Sequence, residues 1–381
     1  MRISLIGPVY PYRGGIAQHT ALLARHLAEC HAVQLISFSR QYPRWLIGGR
    51  TDRDPSQCPI QVEAQYLLDP LNPLTWWRVA GQVRQWQPDL LILPWWVTFW
   101  APAWFVLARL THSWTHARVL FLCHNVLPHD AGLGLNRWLT RLALGQGDLF
   151  LTQSAQQLQT LHELAPARPA TWVLLPSFAE VGADSRENSV GHAPQTSLGL
   201  PAGQAVLLFF GFVRPYKGLA VLLEALPAVL SELPVHLLVV GEIWGDQSHF
   251  QAEIERLGLV GHVTLVNEYV PDERLAEFFE LADVVVLPYL SATQSGVVPL
   301  AFSFGVPVIA SRVGGLVDAV QDGITGLLVP PADPPALAQA IVRFFQQDLG
   351  SCMRAAIVAD QARFSWQSLI DAIESLVDQR R

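Results

Sequence analysis

The chain has 381 residues, 51% of them hydrophobic and 15% charged, with a formal net charge of −7. That length exceeds one ordinary core and predicts two domains, each with ample apolar material. The acidic balance argues against a nucleic-acid partner held by a general positive field. Cys30, Cys58, Cys123 and Cys352 lack CxxC spacing, and fit reduced thiols of a cytoplasmic protein better than a disulfide framework or a zinc site.

The first half alternates strand and helix. RISLIGP is a predicted strand, and GGIAQHTALLARHLAEC has apolar residues at helical spacing. The opening MRISLIGPVY is too short before its Gly-Pro turn to be a secretory signal core. HAVQLISF, PDLLILPWW, ARVLFLCHN and DLFLTQS read as further strands. The run from Leu90 to Leu110 is about as long as a bilayer span, but it contains Pro94, Pro102 and Arg109. It is read as a buried strand over Leu90–Leu93, a turn, and an apolar helix from about Pro102, since strands of parallel sheets are continuously apolar. GLGLNR at 132–137 predicts a turn.

Residues 182–199 lose the apolar pattern and predict a linker. The alternation then restarts with QAVLLFFGFV, the helix LAVLLEALPAVL, and the strands VHLLVVGE and VTLVNEYV. The helix DERLAEFFELA, the strand DVVVLPY, a helix near 297–304, PVIAS and TGLLVPP follow, and two helices close the chain. This order predicts an α/β fold of parallel sheets covered by helices, with ligands bound at the carboxyl ends of the strands. Gly14, Gly15, His124, Asn125 and Ser154 stand at such ends.

Walker A, GxGxxG, HExxH and nucleophile-elbow patterns are absent, as is a carboxylate-rich loop, so neither a cofactor nor a metal is expected. Gly14 and Gly15 separate a strand from a helix, which suits close approach of an anion to free N–H groups and equally suits a plain turn. Ser295, Gly296 and Val297 precede an apolar helix in the same way, where Ser295 is also an N-cap candidate. GFVRPYKG, residues 211–218, holds the only lysine of the chain, while arginine fills every other basic position. A compact, mobile ammonium suits a phosphate that develops charge, so Lys217 with Arg214 marks a phosphate site. A lone lysine also suits a pyridoxal phosphate Schiff base, but its setting in a strand-end turn disfavours that reading.

GFVRPYKGLAVLLEAL, NEYVPDERLAEFFELADVVVLPY, GVPVIASRVGGLVDAVQDGITGLLVPPADPPALAQAI and FSWQSLIDAIESL together resemble the retaining glycosyltransferases of family 4 over nearly the whole chain. The resemblance implies the GT-B fold, two Rossmann-like domains facing across a cleft. It implies an N-terminal acceptor domain over 1–185, a linker over 186–198 and a donor domain over 199–362. A C-terminal helix over 363–381 would return to the first domain. It also implies metal-independent hexosyl transfer from a nucleotide-diphosphate sugar, with UDP or GDP as the nucleotide. Arg214, Lys217 and the N–H groups of Ser295, Gly296 and Val297 would neutralise the diphosphate, with Gly14 and Gly15 closing over it. His124, with Asn125 beside it, would face the sugar, and His129 is a weaker candidate.

Two departures stand out. The family's Glu, seven residues, Glu pattern falls on Ala292 and Leu300, leaving Ser291, Thr293, Gln294 and Ser295 as uncharged substitutes. Phe212 stands where the family commonly has Arg, a role expected of Arg214. Glu268 is expected near the nucleobase, or on the surface. Trp95, Trp96, Phe99, Trp100 and Trp104 suggest either core packing or peripheral contact with a membrane and a glycan or lipid-linked acceptor. The expected location is cytoplasmic, at the inner face of the plasma membrane if that contact exists. The expected function is surface polysaccharide or glycolipid synthesis. The alternatives are a non-catalytic subunit of a transferase complex, or a nucleotide-sugar epimerase or hydrolase.

Overall fold

The computed structural model describes residues 1–43, 45–46, 51–127, 133–165, 168–178, 180, 200–201, 203–245 and 247–379, leaving the side chain of residue 133 aside. The predicted linker and His129 lie outside these residues. The chain divides into two units, one of residues 1–55, 59–174 and 366–381, the other of residues 56–58 and 175–365.

The first unit contains β1 (Arg2–Ile6), β2 (Ala32–Phe38), β3 (Gln65–Leu68), β4 (Leu90–Trp95), β5 (Arg118–Cys123), β6 (Leu149–Thr152) and β7 (Ala170–Trp172). They form one parallel sheet in the order β3-β2-β1-β4-β5-β6-β7. The central strand β4 is buried at every position, which explains its unbroken apolar run. Its helices are α1 (Gly15–Cys30), α2 (Pro73–Trp86), α3 (Ala101–Trp114), α4 (Leu133–Leu144) and α5 (Ala155–Leu164). The closing helix, Trp366–Asp378, belongs to this unit, and Arg118 donates to its last carbonyls, at 2.5 Å to Val377 and 3.3 Å to Leu376.

The second unit contains β8 (Ala205–Phe210), β9 (Val235–Val240), β10 (Val263–Val266), β11 (Val284–Leu287), β12 (Val308–Ser311) and β13 (Gly326–Val329). This sheet is also parallel, in the order β10-β9-β8-β11-β12-β13. The helices α6 (Leu219–Leu230), α7 (Gln247–Arg256), α8 (Leu275–Phe279), α9 (Val297–Ser303), α10 (Leu316–Ala319), α11 (Pro334–Gln346) and α12 (Leu349–Asp360) accompany it. Both units are Rossmann-like.

Two sequence expectations need correction. GLGLNR is not a turn where it is described, because α4 starts at Leu133. The periodic RWLTRLAL behind it buries Thr140, Ala143 and Leu144, and a glycine in the first helical turn does not outweigh that burial. Nor is the 95–104 aromatic run a contact surface for membrane or acceptor. Trp95, Trp100 and Trp104 are wholly buried. The Trp100 ring stacks on Phe38 at 4.3 Å and on Trp104 at 5.3 Å. Trp95 Nε1 donates to the Val126 carbonyl at 3.1 Å. Trp96 and Phe99 are half-buried against the same core. Among the described residues no helix is long and apolar enough to cross a membrane.

This packing makes Trp104→Ala costly, by about 3–5 kcal/mol, since a buried indole leaves a cavity. Trp77→Ala, at a position 53% exposed, should change stability by about 0.5 kcal/mol or less. Urea unfolding of the two variants measures the difference, and equal losses would refute this division.

Candidate functional site

In an open parallel sheet, the order of strands reverses where connections run off in opposite directions, and the loops leaving the two strands at that point part to form a crevice. In the second unit this point lies between β8 and β11. The segment after β8 carries Arg214 and Lys217, and the segment after β11 carries Tyr289, Gln294 and Ser295. The two segments are joined, as Leu290 N–H donates to the Tyr216 carbonyl at 2.8 Å. Gly218 permits that approach: its φ is +71°, and a Cβ there would stand 1.9 Å from the Pro288 carbonyl oxygen.

Lys217 is half-buried in this junction. Its Nζ donates to the Tyr289 hydroxyl at 2.5 Å and stands 4.0 Å from the centroid of that ring. The Tyr289 hydroxyl lies 3.3 Å from Ser295 Oγ, which also accepts the Val297 N–H at 3.3 Å. Burial lowers the Lys217 pKa to about 8; Tyr216 opposes the shift and the Arg214 charge adds to it. Arg214 lays its guanidinium 3.9 Å over the Trp244 ring, and its buried Nε has no hydrogen-bond partner among the described residues. The buried Oε1 of Gln294 has none either. An ammonium, a guanidinium with an unspent donor and an unspent amide acceptor therefore belong to the two strand-end segments.

The remaining predicted residues of this unit are placed differently. Gly296 and Val297 open α9, where a Cβ on Gly296 would touch Phe178 at 3.6 Å. The Thr293 carbonyl accepts the Gly315 N–H at 3.1 Å. Leu300 is buried within α9, while Ala292 lines the close approach of Gly314 with its carbonyl. Phe212 packs against Trp244 at 5.6 Å and Tyr269 at 6.0 Å, so an aromatic cluster occupies its position. Glu268 is paired with Arg274 on the exposed surface, not with Lys217, Tyr289 or Ser295.

In the first unit the order reverses between β1 and β4. Gly14, after β1, caps α1 with φ +105°, and added Cβ atoms on Gly14 and Gly15 would meet nothing within 4 Å. His124 and Asn125 follow β5, and the N–H groups of both point to the Trp95 carbonyl, at 2.8 and 3.3 Å. The buried Oδ1 of Asn125 has no partner among the described residues. Ser154 caps α5, accepting the Gln157 N–H at 3.2 Å, which is a structural role.

His124 is one end of a buried chain. Its Nδ1 lies 2.9 Å from Gln153 Oε1, and Gln153 Nε2 lies 3.1 Å from His19 Nε2. The His19 and His124 rings meet edge to face at 4.7 Å, and His19 packs on Trp366 at 5.0 Å. Burial lowers the His124 pKa to about 4, against the Gln153 hydrogen bond. Burial, with His124 beside it, puts His19 well below its ordinary value. Both rings are therefore neutral at pH 7, which fixes the direction of the chain. His124 donates from Nδ1 to the amide oxygen, and the amide NH₂ donates to His19 Nε2. His124 Nε2 is left as a lone-pair acceptor and His19 Nδ1 as a donor, and neither has a partner among the described residues.

Sequence reasoning did not single out Tyr289, Gln153 or His19. Tyr289 and Gln153 each stand just beyond a strand at its carboxyl end, the rule that singled out His124, and His19 lies one helical turn beyond Gly15.

Comparison with known proteins agrees with this architecture. Residues 13–179 match the Glycosyltransferase Family 4 model, and residues 204–347 match the model described as Glycosyl transferases group 1. The D-inositol 3-phosphate glycosyltransferase of Acidothermus cellulolyticus is 31% identical over 234 residues, covering 59% of this chain and 52% of that protein. The protein of the same name from Rhodococcus erythropolis is 31% identical over 282 residues, covering 70% of this chain and 61% of that protein. The chain thus spans little more than half the length of these relatives. Among solved structures, Anabaena HepE in complex with UDP superposes with a TM-score of 0.71 at 19% identity, covering 98% of this chain and 100% of that one. A glycosyltransferase from Rickettsia africae also gives 0.71, at 16% identity and 99% coverage of both chains. Residues 13–179 thus match a Glycosyltransferase Family 4 domain and residues 204–347 a Glycosyl transferases group 1 domain, on the GT-B fold of the solved glycosyltransferases.

Proposed function

We propose that the protein is a retaining, metal-independent transferase that moves a hexosyl group from a nucleotide-diphosphate sugar to a glycan or lipid-linked acceptor, in the synthesis of a surface polysaccharide or glycolipid. The observation that carries the reading is the Lys217–Tyr289–Ser295 chain beside Arg214 at the switch point of the second sheet. In the reaction, the bond from the anomeric carbon to the diphosphate oxygen breaks, and a bond to an acceptor hydroxyl forms on the same face. The hydroxyl proton passes to the departing phosphate. Lys217 and Arg214 stabilise the negative charge that gathers on that phosphate, a task for preorganised cations. Gln294 Oε1, in the second unit, is the acceptor for a hydroxyl of the donor sugar, and His124 Nε2, in the first unit, the acceptor for a hydroxyl of the acceptor substrate. HepE structures with UDP and UDP-glucose make UDP the first nucleotide to test, with GDP second. A non-catalytic binding subunit is the second reading, favoured by Ala292 and Leu300 at the positions where carboxylates are expected.

Thermal stabilisation by UDP, GDP, ADP, CMP and dTDP tests the donor site, because a ligand bound only to the folded state raises its stability. One nucleotide should stabilise the wild type, and Lys217→Ala should bind it about tenfold to a hundredfold more weakly. No stabilisation by any of them would remove the donor site. Stabilisation without transfer to any acceptor would leave the binding subunit.

Two pH dependences follow from burial. The Lys217 ammonium loses its charge above about pH 8, so diphosphate affinity should fall from pH 7 to pH 9 in the wild type, and Lys217→Arg should flatten that profile. An unchanged slope in Lys217→Arg would assign the titration to another group. For His124, the folded ring resists protonation down to about pH 4, whereas its ordinary pKa is 6.5. Between these values the unfolded chain binds more protons, so stability falls as pH drops from about 6.5 toward 4 and is fully present above that window. The Tm of the wild type should decline there more steeply than that of His124→Gln; parallel curves would contradict the burial of a neutral imidazole.

A further inference from the structure

From Pro70 to Gly147 the chain holds six arginines against two carboxylates, Asp89 and Asp130, although the whole protein has a net charge of −7. Nine of the 13 tryptophans fall in the same stretch. The structure divides these residues between two places. Trp95, Trp100 and Trp104 enter the core, whereas α2, α3 and α4 keep another set outside, and α3 packs against both α2 and α4. None of these three helices contains an acidic residue.

Their outer positions are apolar, aromatic and cationic. On α2, Leu74 is 78% and Trp77 53% exposed, and on α4, Leu135 is 68% and Trp138 59% exposed. Arg78 and Arg84 of α2, Arg109 of α3 and Arg141 of α4 are exposed on the same helices. Leu135, Trp138 and Arg141 recur every third residue, so they form one stripe along the helix. Exposed leucine and tryptophan on acid-free helices that also expose arginine match the chemistry of an anionic bilayer surface: indole and leucine enter the interface and guanidinium pairs with phosphate.

We propose that the outer face of α2, α3 and α4 docks the protein on a membrane rich in anionic lipid. Charge complementarity selects this occupant. An acidic protein would also meet the arginines, but the exposed side chains of Leu74, Trp77, Leu135 and Trp138 add an affinity for the bilayer interface that charge alone does not supply. This face replaces the buried 95–104 run as the point of contact. The proposal is independent of sugar transfer, because docking requires no donor and no turnover.

Sedimentation with vesicles tests it. The wild type should partition to vesicles of phosphatidylcholine and phosphatidylglycerol and not to phosphatidylcholine alone, and added salt should weaken the binding. The pair Trp77→Ser and Trp138→Ser, and separately the pair Arg84→Gln and Arg141→Gln, should each reduce partition about tenfold. Unchanged melting temperatures would show that both variants fold. Nucleotide stabilisation of both variants should equal that of the wild type, so failure of the donor reading leaves the vesicle result interpretable. Absence of wild-type binding, equal binding after both pairs of substitutions, or a concentration-dependent dimer abolished by the same substitutions would overturn the proposal.

Discussion

A parallel sheet buried on both faces can offer chemistry only at its edges, and that constraint organises both units. Strands such as β4 and β11 are apolar throughout and buried at every position, as expected of strands covered by helices on either side. Polar work is displaced to the residues just past each strand. Where strand order reverses, the connections lead apart, and the residues there have space for a ligand. Lys217 and Tyr289 follow the two strands that flank such a point, and the close approach at Gly218 brings their segments together. Burial then makes the electrostatics consequential, since a half-covered ammonium with a nearby guanidinium gains more from an anion than a solvated one would.

The core strands were legible because their short apolar runs stop at glycine, proline or polar residues and alternate with stretches of helical periodicity. Their carboxyl ends pointed to His124, Arg214 and Lys217 for the same reason. Tyr289 was not legible, because its partnership with Lys217 spans 72 positions and depends on how two loops meet. The His124–Gln153–His19 chain likewise joins the ends of β5 and β6 to a turn of α1, and each of the three residues alone looks ordinary in sequence. The tryptophans were ambiguous because an indole serves equally well as core filler and as interfacial contact. Only burial separates Trp104 from Trp138. α4 was hidden by two glycines, whose turn propensity acts locally while the buried face of the helix acts through the tertiary fold.

The two uncharged positions, Ala292 and Leu300, gain meaning from their surroundings. Leu300 lies in the apolar interior of α9, next to Ala301 and Phe302, which are also buried. A carboxylate introduced there would need both a partner and a new path to solvent. The loss of charge is thus built into local packing, and the buried Oε1 of Gln294, without a partner among the described residues, is an uncharged acceptor in the same segment.

Lys217 is also the only side-chain amine in the molecule. With a pKa near 8, a larger fraction of it is unprotonated at neutral pH than of an ordinary lysine, so it is the more nucleophilic amine. Acylating reagents and aldehydes, which mark dozens of surface positions on most proteins, have a single side-chain target here, at the junction of the segments that follow β8 and β11. The extent of labelling at Lys217, read from peptide mass, therefore gauges whether that junction is open or covered.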